Sequence, residues 1–555
     1  MPSAPTANSQ TAAKGRARRP LSEALHDPGF TPRRRDLASL IELLAVGEAR
    51  RARLVEAAIL RIGPVVGEAL EQAFTVAKPP LRGRLMRILG RWALTCPERI
   101  DGVLQALGDA DAKTQRNAII AAGKLDDPRV LGRLLQLARG EDRLPHLRSL
   151  TDALGKVGGV QALEWLRELD DRGDPELVRL RTKALLIAER TLARTLDSGG
   201  QVDLQAQVER PIAVEFRCRA GLEELLIDEI LALGSLQLQL QLKNPTAIAQ
   251  GVVGARFAGP LGDLFKIRLA LEVSFPLSGS GTLPRRGDEV SVVVDRLAQP
   301  ALRECLRRWT RGAIRYRLDL VGGHRRAEVW RIAEQLRRVA PELINDPTAS
   351  TWEIRTRRVD RELVISLVPR AVDDPRFAYR CGDVPAASHP TIAAALARMV
   401  TGTGTGEQAV IWDPFVGSGL ELCERGLLGP YGRLWGSDID GQALEVARAN
   451  LESAGLDRVE LLRGDACELS IAGGVSAIIT NPPLGRRVHR GVAQSLLCDA
   501  LPNLARNLCV GGCLVWITPE PRRTAPVAEG VGLHLERWQR IDLGGFAATV
   551  ERWRR

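Results

Sequence analysis

The chain has 555 residues, 45% hydrophobic and 26% charged, with a formal net charge of +11. That length exceeds one core and implies three or four domains at roughly 150 residues each, while the apolar and charged fractions exclude a disordered chain. No apolar run approaches the ~20 residues that span a bilayer, and nine cysteines without a CxxC pair fit free thiols in a reducing, cytoplasmic compartment and suggest no metal site.

Residues 1–36 carry seven basic and three acidic residues and no apolar periodicity, which predicts a disordered basic arm without the apolar core of a secretory signal. From 37 to 195 the pattern turns helical and repeats. RILGRW, IAAGKL and DALGKV place Gly90, Gly123 and Gly155 at spacings of 33 and 32, and KALLIAE at 183–189 falls where a fourth copy belongs. Each copy joins an acid-rich turn, such as GDADAKTQ or DDPRV, to a Leu/Ala/Ile stripe. One such pair cannot bury its own apolar face, so neighbours must stack. The segment resembles HEAT repeats, which implies an α-solenoid offering a surface to a protein partner or to RNA; an irregular helical bundle is the other reading.

Residues 196–210, LDSGGQVDLQAQVER, are predicted as a polar linker. Over 211–384, PIAVEFRCRAGLEELLIDEILAL reads as a strand leading into a helix, GVVGARFAG and SVVVDRL as strands, 299–311 as an Arg-rich helix, and WEIRTRRVDRELVISLV as a hairpin. This is an α+β module. GLEELLIDEI, the basic helix and the lead-in AYRCGDVPAASHPTIAAALARMV together resemble the THUMP-containing RNA methyltransferases, over roughly residues 211–550. The resemblance implies a ferredoxin-like plus THUMP-like region that holds structured RNA, ahead of a catalytic domain at 385–555.

The charge supports the same division. From Arg303 to Arg338 eleven arginines face four acids, a net of +7, whereas 385–555 holds 17 basic and 18 acidic residues. Arg303, Arg307, Arg308, Arg311, Arg315, Arg317, Arg325 and Arg326 accompany Trp309 and Tyr316. Guanidinium groups fork to phosphate and the rings offer stacking surfaces, so the cluster reads as an RNA contact; positions 304, 308, 311 and 315 share one face if the helix continues. A solvated face over a buried Trp309 is the bland alternative.

In the last segment the glycine-rich GTGTG precedes a strand and is therefore a connector. The informative loop follows the strand AVIWD: Asp413-Pro-Phe-Val-Gly417-Ser-Gly419, then a helix, brings a ligand against bare backbone at the carboxyl edge of a parallel sheet. RLWGSDIDG ends a second strand at Asp438 and VELLRGDACEL a third at Asp465. DPFVGSG looks like motif I of class I, Rossmann-like methyltransferases. That resemblance implies S-adenosylmethionine bound by Asp413, Phe415, Gly417, Gly419, Asp438, Ile439, Asp465, Ala466 and Asn481.

A fourth strand ends in TNPPLGRR. By the same resemblance, Asn481 and the Pro482 carbonyl accept hydrogen bonds from a target amine, and Pro482 and Pro483 stiffen the loop. Leu484 stands where relatives carry Tyr or Phe, and offers a flat apolar contact in place of an aromatic base stack of ~1 to 3 kcal/mol; Arg486 and Arg487 are placed for phosphate. GGCLVWITPEP and the segment after it fit a fifth strand and a closing antiparallel hairpin. The THUMP context implies methylation of a guanine N2 amine in tRNA or rRNA. An adenine-N6 enzyme on RNA or DNA, and a non-catalytic RNA-binding scaffold, are the other readings.

Overall fold

The computed structural model describes all residues except 1–19, 28, 197–198, 237–240, 278–288, 324, 360–361, 386, 401–403 and 485–489. It divides into two units, Met1–Ser198 and Gly199–Arg555.

The first unit is helical. Leu37–Val46 with Ala49–Ile62, Gly67–Val76 with Leu81–Trp92, Ile100–Ala106 with Ala112–Ala122, Pro128–Ala138 with Leu144–Val157, and Val160–Glu168 with Pro175–Leu196 form five successive pairs. The predicted acidic turns are helix caps: Asp111 accepts from Thr114 N at 2.9 Å and Asp127 from Arg129 N at 2.8 Å. Ion pairs tie neighbouring pairs together, as in Arg82–Asp109 at 2.7 Å and Arg99–Glu71 at 2.5 Å. The regularly spaced glycines are contact points between second helices. A methyl group on Gly90 would lie 2.5 Å from Ala121 Cβ, on Gly123 2.6 Å from Ala153 Cβ, and on Gly155 2.5 Å from Ala184 Cβ. A disordered arm reaching residue 36 is corrected: Leu21–Ala24 is helical and Leu25 is buried with the array's apolar cluster, because one apolar turn suffices to dock on an open helical face.

Among the described residues the second unit contains three sheets. Its strands are β1 (Gln201–Val202), β2 (Gln207–Arg217), β3 (Gln241–Ala249), β4 (Val252–Pro260), β5 (Glu272–Leu277), β6 (Thr310–Arg311), β7 (Ile314–Asp319), β8 (Leu343–Asn345), β9 (Trp352–Val359) and β10 (Glu362–Pro369), then β11 (Val410–Asp413), β12 (Arg433–Asp438), β13 (Val459–Arg463), β14 (Val475–Thr480), β15 (Leu508–Thr518), β16 (His534–Asp542) and β17 (Ala547–Arg554). β1 pairs with β6, and an eight-stranded mixed sheet runs β3-β4-β2-β5-β10-β9-β7-β8.

Three expectations fail in this region. Residues 196–210 are not a free linker: Val202 and Val208 are buried, β1 and the start of β2 lie within the segment, and Val202 N donates to Ala371 O at 2.8 Å. SVVVDRL is part of the helix Glu289–Leu297, with Val290, Val293, Val294 and Leu297 buried at helical spacing; a short β-branched run is ambiguous until its partner face is known. The Arg-rich helix is only Pro300–Arg308. Beyond it the chain turns into β6 and β7 because Trp309 and Tyr316 go into the core, the Trp309 ring 5.2 Å from Phe275 and 6.1 Å from Trp352. Arg311 and Arg315 therefore do not continue the helical face.

The third sheet has the order β13-β12-β11-β14-β15-β17-β16. Its first five strands are parallel, β17 runs antiparallel to β15, and β16 pairs antiparallel with β17 at the edge. Helices alternate with the parallel strands, a doubly wound arrangement. The strand order reverses between β11 and β14, so the crevice outside their carboxyl ends is where such a sheet receives a ligand.

Candidate active site

The loops after β11, β12, β13 and β14 converge on one cleft of about 740 Å³. Its walls include Phe415, Gly417, Asp438, Ile439, Asp465, Ala466, Asn481, Pro482, Pro483 and Leu484, so most of the sequence-predicted donor and amine-clamp residues meet there. Gly417 adopts φ +49° and its N–H donates to Asp438 Oδ2 at 3.0 Å, which locks the first loop onto the second. Ile439 is 67% exposed and presents an apolar face at the cleft. The Asp465 carboxylate is exposed and accepts from Cys467 N at 2.8 Å.

Asp413 and Gly419 stand behind the wall. Asp413 is fully buried; its Oδ1 accepts from Thr480 Oγ1 at 2.7 Å and Phe415 N at 3.1 Å, tying the β11 loop to the end of β14. Its Oδ2 is buried without a partner. Burial and the nearby Glu421 push the Asp413 carboxyl well above the usual range. Gly419 caps the helix Leu420–Leu428 in the left-handed region, and a methyl group there would sit 3.2 Å from Ala447, so its role is close helix approach.

The Asn481 side chain is held by two residues that motif reading missed. Asn481 Nδ2 donates to Ser388 Oγ at 2.7 Å, and Ser388 Oγ donates to the buried Glu421. Asn481 Oδ1 is left buried and unpartnered. A buried acceptor without a donor costs roughly 1–3 kcal/mol, a cost that a donor entering the cleft would relieve. Burial drives the Glu421 carboxyl upward. His389 caps the helix Pro390–Met399; burial, Arg219, Arg380 and Arg376 push its imidazole down to about 4, so it is neutral near pH 7. Ser388 and His389 lie in the quoted ASHPTIAAAL, but nothing local in that string announces a contact with Asn481, 93 residues away.

The arginine cluster does not assemble as one surface. Arg303 pairs with Glu342 at 2.5 Å, Arg307 with Glu304, Arg308 with Glu209 at 3.3 Å, Arg311 with Asp203 at 2.6 Å, Arg317 with Glu353, and Arg325 with Glu289. Arg315 is 2% exposed, and Trp309 and Tyr316 are core residues that offer no ring to a base. Arg326 opens the helix Arg326–Val339, and Arg486 and Arg487 lie outside the described residues. The side chains of Arg307, Arg308 and Arg311 remain 57%, 57% and 64% exposed. Among the described residues no helix is long and apolar enough to cross a membrane.

Comparison with known proteins adds a class to this geometry. Residues 68–186 match the model of HEAT repeats. The chain is 34% identical over 137 residues to a tRNA (guanine(10)-N2)-dimethyltransferase of Methanothermobacter thermautotrophicus, covering 24% of this chain and 39% of that protein. It is 34% identical over 121 residues to a tRNA (guanine(6)-N2)-methyltransferase of Archaeoglobus fulgidus, covering 21% and 30%. The match thus spans well under half the length of these relatives. Among solved structures, TrmN from Thermus thermophilus aligns at 23% identity and a TM-score of 0.49, covering 62% of this chain and 99% of that one. Residues 378–545 match the model of an RMKL-like methyltransferase domain, and a methyltransferase domain of this fold takes S-adenosylmethionine as its cofactor.

Proposed function

We propose that the protein is an S-adenosylmethionine-dependent methyltransferase acting on the N2 amine of a guanine in tRNA. The observation that carries this reading is Asn481 Oδ1, a buried acceptor without a partner beside the Pro482–Pro483 step. An exocyclic amine presents N–H donors, and Asn481 accepts one of them without acting as a strong base. Guanine and tRNA are supported by the relatives named above, both of which modify guanine N2 in tRNA.

The donor supplies an electrophilic sulfonium methyl. Asp438 and Asp465 present carboxylates suited to ribose hydroxyls and an adenine amine, Ile439 an apolar face for the ring, and the backbone around Gly417 a close approach. The buried Asp413 would act from behind the wall, holding the first loop to the end of β14 through Phe415 N and Thr480 Oγ1. Asn481 would orient the amine and the carbonyl dipoles of the loop would stabilise positive charge as it develops on nitrogen, the thioether leaving as S-adenosylhomocysteine and the surplus N–H proton passing to water. A base must leave its stack to enter such a cleft.

The eight-stranded sheet and the exposed Arg307, Arg308 and Arg311 would hold the body of the RNA as a ferredoxin-like and THUMP-like region does. Surface ion pairs of this kind contribute only ~0 to 1 kcal/mol and exchange readily for phosphate. The HEAT-like array would present a surface to a protein partner, and nine free cysteines suit a cytoplasmic setting.

The test is incubation with labelled methyl donor and total tRNA, followed by nucleoside mass spectrometry. N2-methylguanosine is expected; N6-methyladenosine alone, or donor and RNA binding without any product, overturns the reading. Asn481→Ala should lower kcat on the order of 100-fold while S-adenosylhomocysteine still binds.

A further inference from the structure

Leu484 leaves the amine clamp without the aromatic surface that a base taken out of its stack requires. Two phenylalanines line the cleft among the described residues, Phe415 and Phe546. Phe415 belongs to the loop after β11. Phe546 arrives from the opposite end of the domain, on the turn between β16 and β17, together with Leu543.

That turn is held firmly. Asp542 Oδ1 accepts from the backbone N–H groups of Gly544 at 2.9 Å, Gly545 at 2.8 Å and Phe546 at 3.3 Å, and these donors hold its carboxyl below the usual range. Leu543 N donates to Phe546 O at 2.8 Å. Gly544 and Gly545 take φ +96° and +79°, which a side chain would resist. The turn is also seated on the segment after β2. Asp542 N donates to Ala220 O at 3.1 Å, Arg219 Nη1 donates to the Asp542 carbonyl at 3.3 Å, and a methyl group on Gly221 would lie 2.0 Å from the Arg540 carbonyl oxygen. Arg219 lines the same cleft. Phe546 therefore projects from a rigid, doubly supported turn and joins Leu484 against the same apolar cluster.

We propose that Phe546 is the stacking surface for the target base, supplying from the β16–β17 turn the aromatic face that the loop after β14 lacks. The inference rests on the reading of the domain as a methyltransferase acting on a base. Stacking is sequence-tolerant and needs only a π-face at the right place, so an aromatic on another element serves as well as one following the two prolines.

The test measures kcat/KM on tRNA and S-adenosylhomocysteine affinity for wild type, Phe546→Leu, Phe546→Tyr, and Phe546→Leu combined with Leu484→Tyr. Phe546→Leu should lose roughly 5- to 150-fold in kcat/KM, the equivalent of one base stack, with donor affinity unchanged. Phe546→Tyr should stay near wild type, and Leu484→Tyr should restore activity to the Phe546→Leu protein, which a purely structural role for Phe546 does not allow. Wild-type activity in Phe546→Leu, or failure of the rescue while donor affinity is intact, overturns the inference alone. A wild-type protein that binds donor but methylates no tRNA overturns the functional reading along with it.

Discussion

At the scale of single residues, the site turns on which way one amide points. Asn481 Nδ2 is committed to Ser388, and the Ser388 proton to Glu421, so Oδ1 is the atom left without a donor, the one that the proposed function gives to the amine. Ser388→Ala removes that commitment and frees the amide to present its donors instead; we expect a fall in kcat with S-adenosylhomocysteine affinity unchanged, and equal kcat would refute the orienting role. Glu421 gives a pH signature. Burial pushes its carboxyl up to about 7 from an ordinary 4.5. The folded state then holds the proton more tightly than the unfolded chain, so the stabilisation is complete below pH 4.5 and is lost as pH rises to about 7. Glu421→Gln stays neutral throughout. Its melting temperature relative to wild type should climb across that interval and level off above it; a difference that stays flat rules the buried acid out. The NPP motif singled out Asn481 as a candidate, whereas nothing local pointed to Ser388 and Glu421, because a hydrogen bond across 93 residues leaves no local pattern.

At the scale of elements, regularity decided what could be read. The glycines at 90, 123 and 155 were visible as a spacing, and each proves to be a helix–helix contact against an alanine of the next pair. Gly90→Ala places a methyl 2.5 Å from Ala121 Cβ. Overpacking costs roughly 1–3 kcal/mol against a helix-propensity gain of up to ~1, so net destabilisation should appear in urea unfolding. Ala121→Gly in the same chain should recover the crowding part, and a strictly additive double mutant would refute direct contact. SVVVDRL and the Arg-rich segment were misread for a shared reason. Short apolar or basic runs take their conformation from what buries them, and Trp309 had a place in the core that ended the helix early.

At the scale of the whole molecule, residues 199–555 fold as one unit. The mixed sheet's module and the methyltransferase domain are joined by buried charge. Arg268 pairs with Glu424 at 2.6 Å, Tyr379 donates to the same carboxylate at 2.5 Å, and Glu229 accepts from Arg268 N at 2.9 Å and Arg398 Nη2 at 2.7 Å. Removing one partner strands the other in a dry interior, so Arg268→Met should destabilise this unit by roughly 3–5 kcal/mol. Its denaturant curve should shift as one transition; separate transitions for the two modules would contradict a shared core.

Strand, loop and helix order in the last 170 or so residues could be read directly, because each motif loop follows its own strand, which sets Asp438, Asp465 and Asn481 at the strand ends that line the cleft. The periodic glycines likewise revealed the array. Only the tertiary structure decided which side chains share a space: that Ser388 and Glu421 set the Asn481 amide, that Phe546 reaches the cleft from the final hairpin, and that Arg315 and Trp309 are buried. Local spacing specifies elements, but burial and the satisfaction of polar atoms depend on partners distant in the chain.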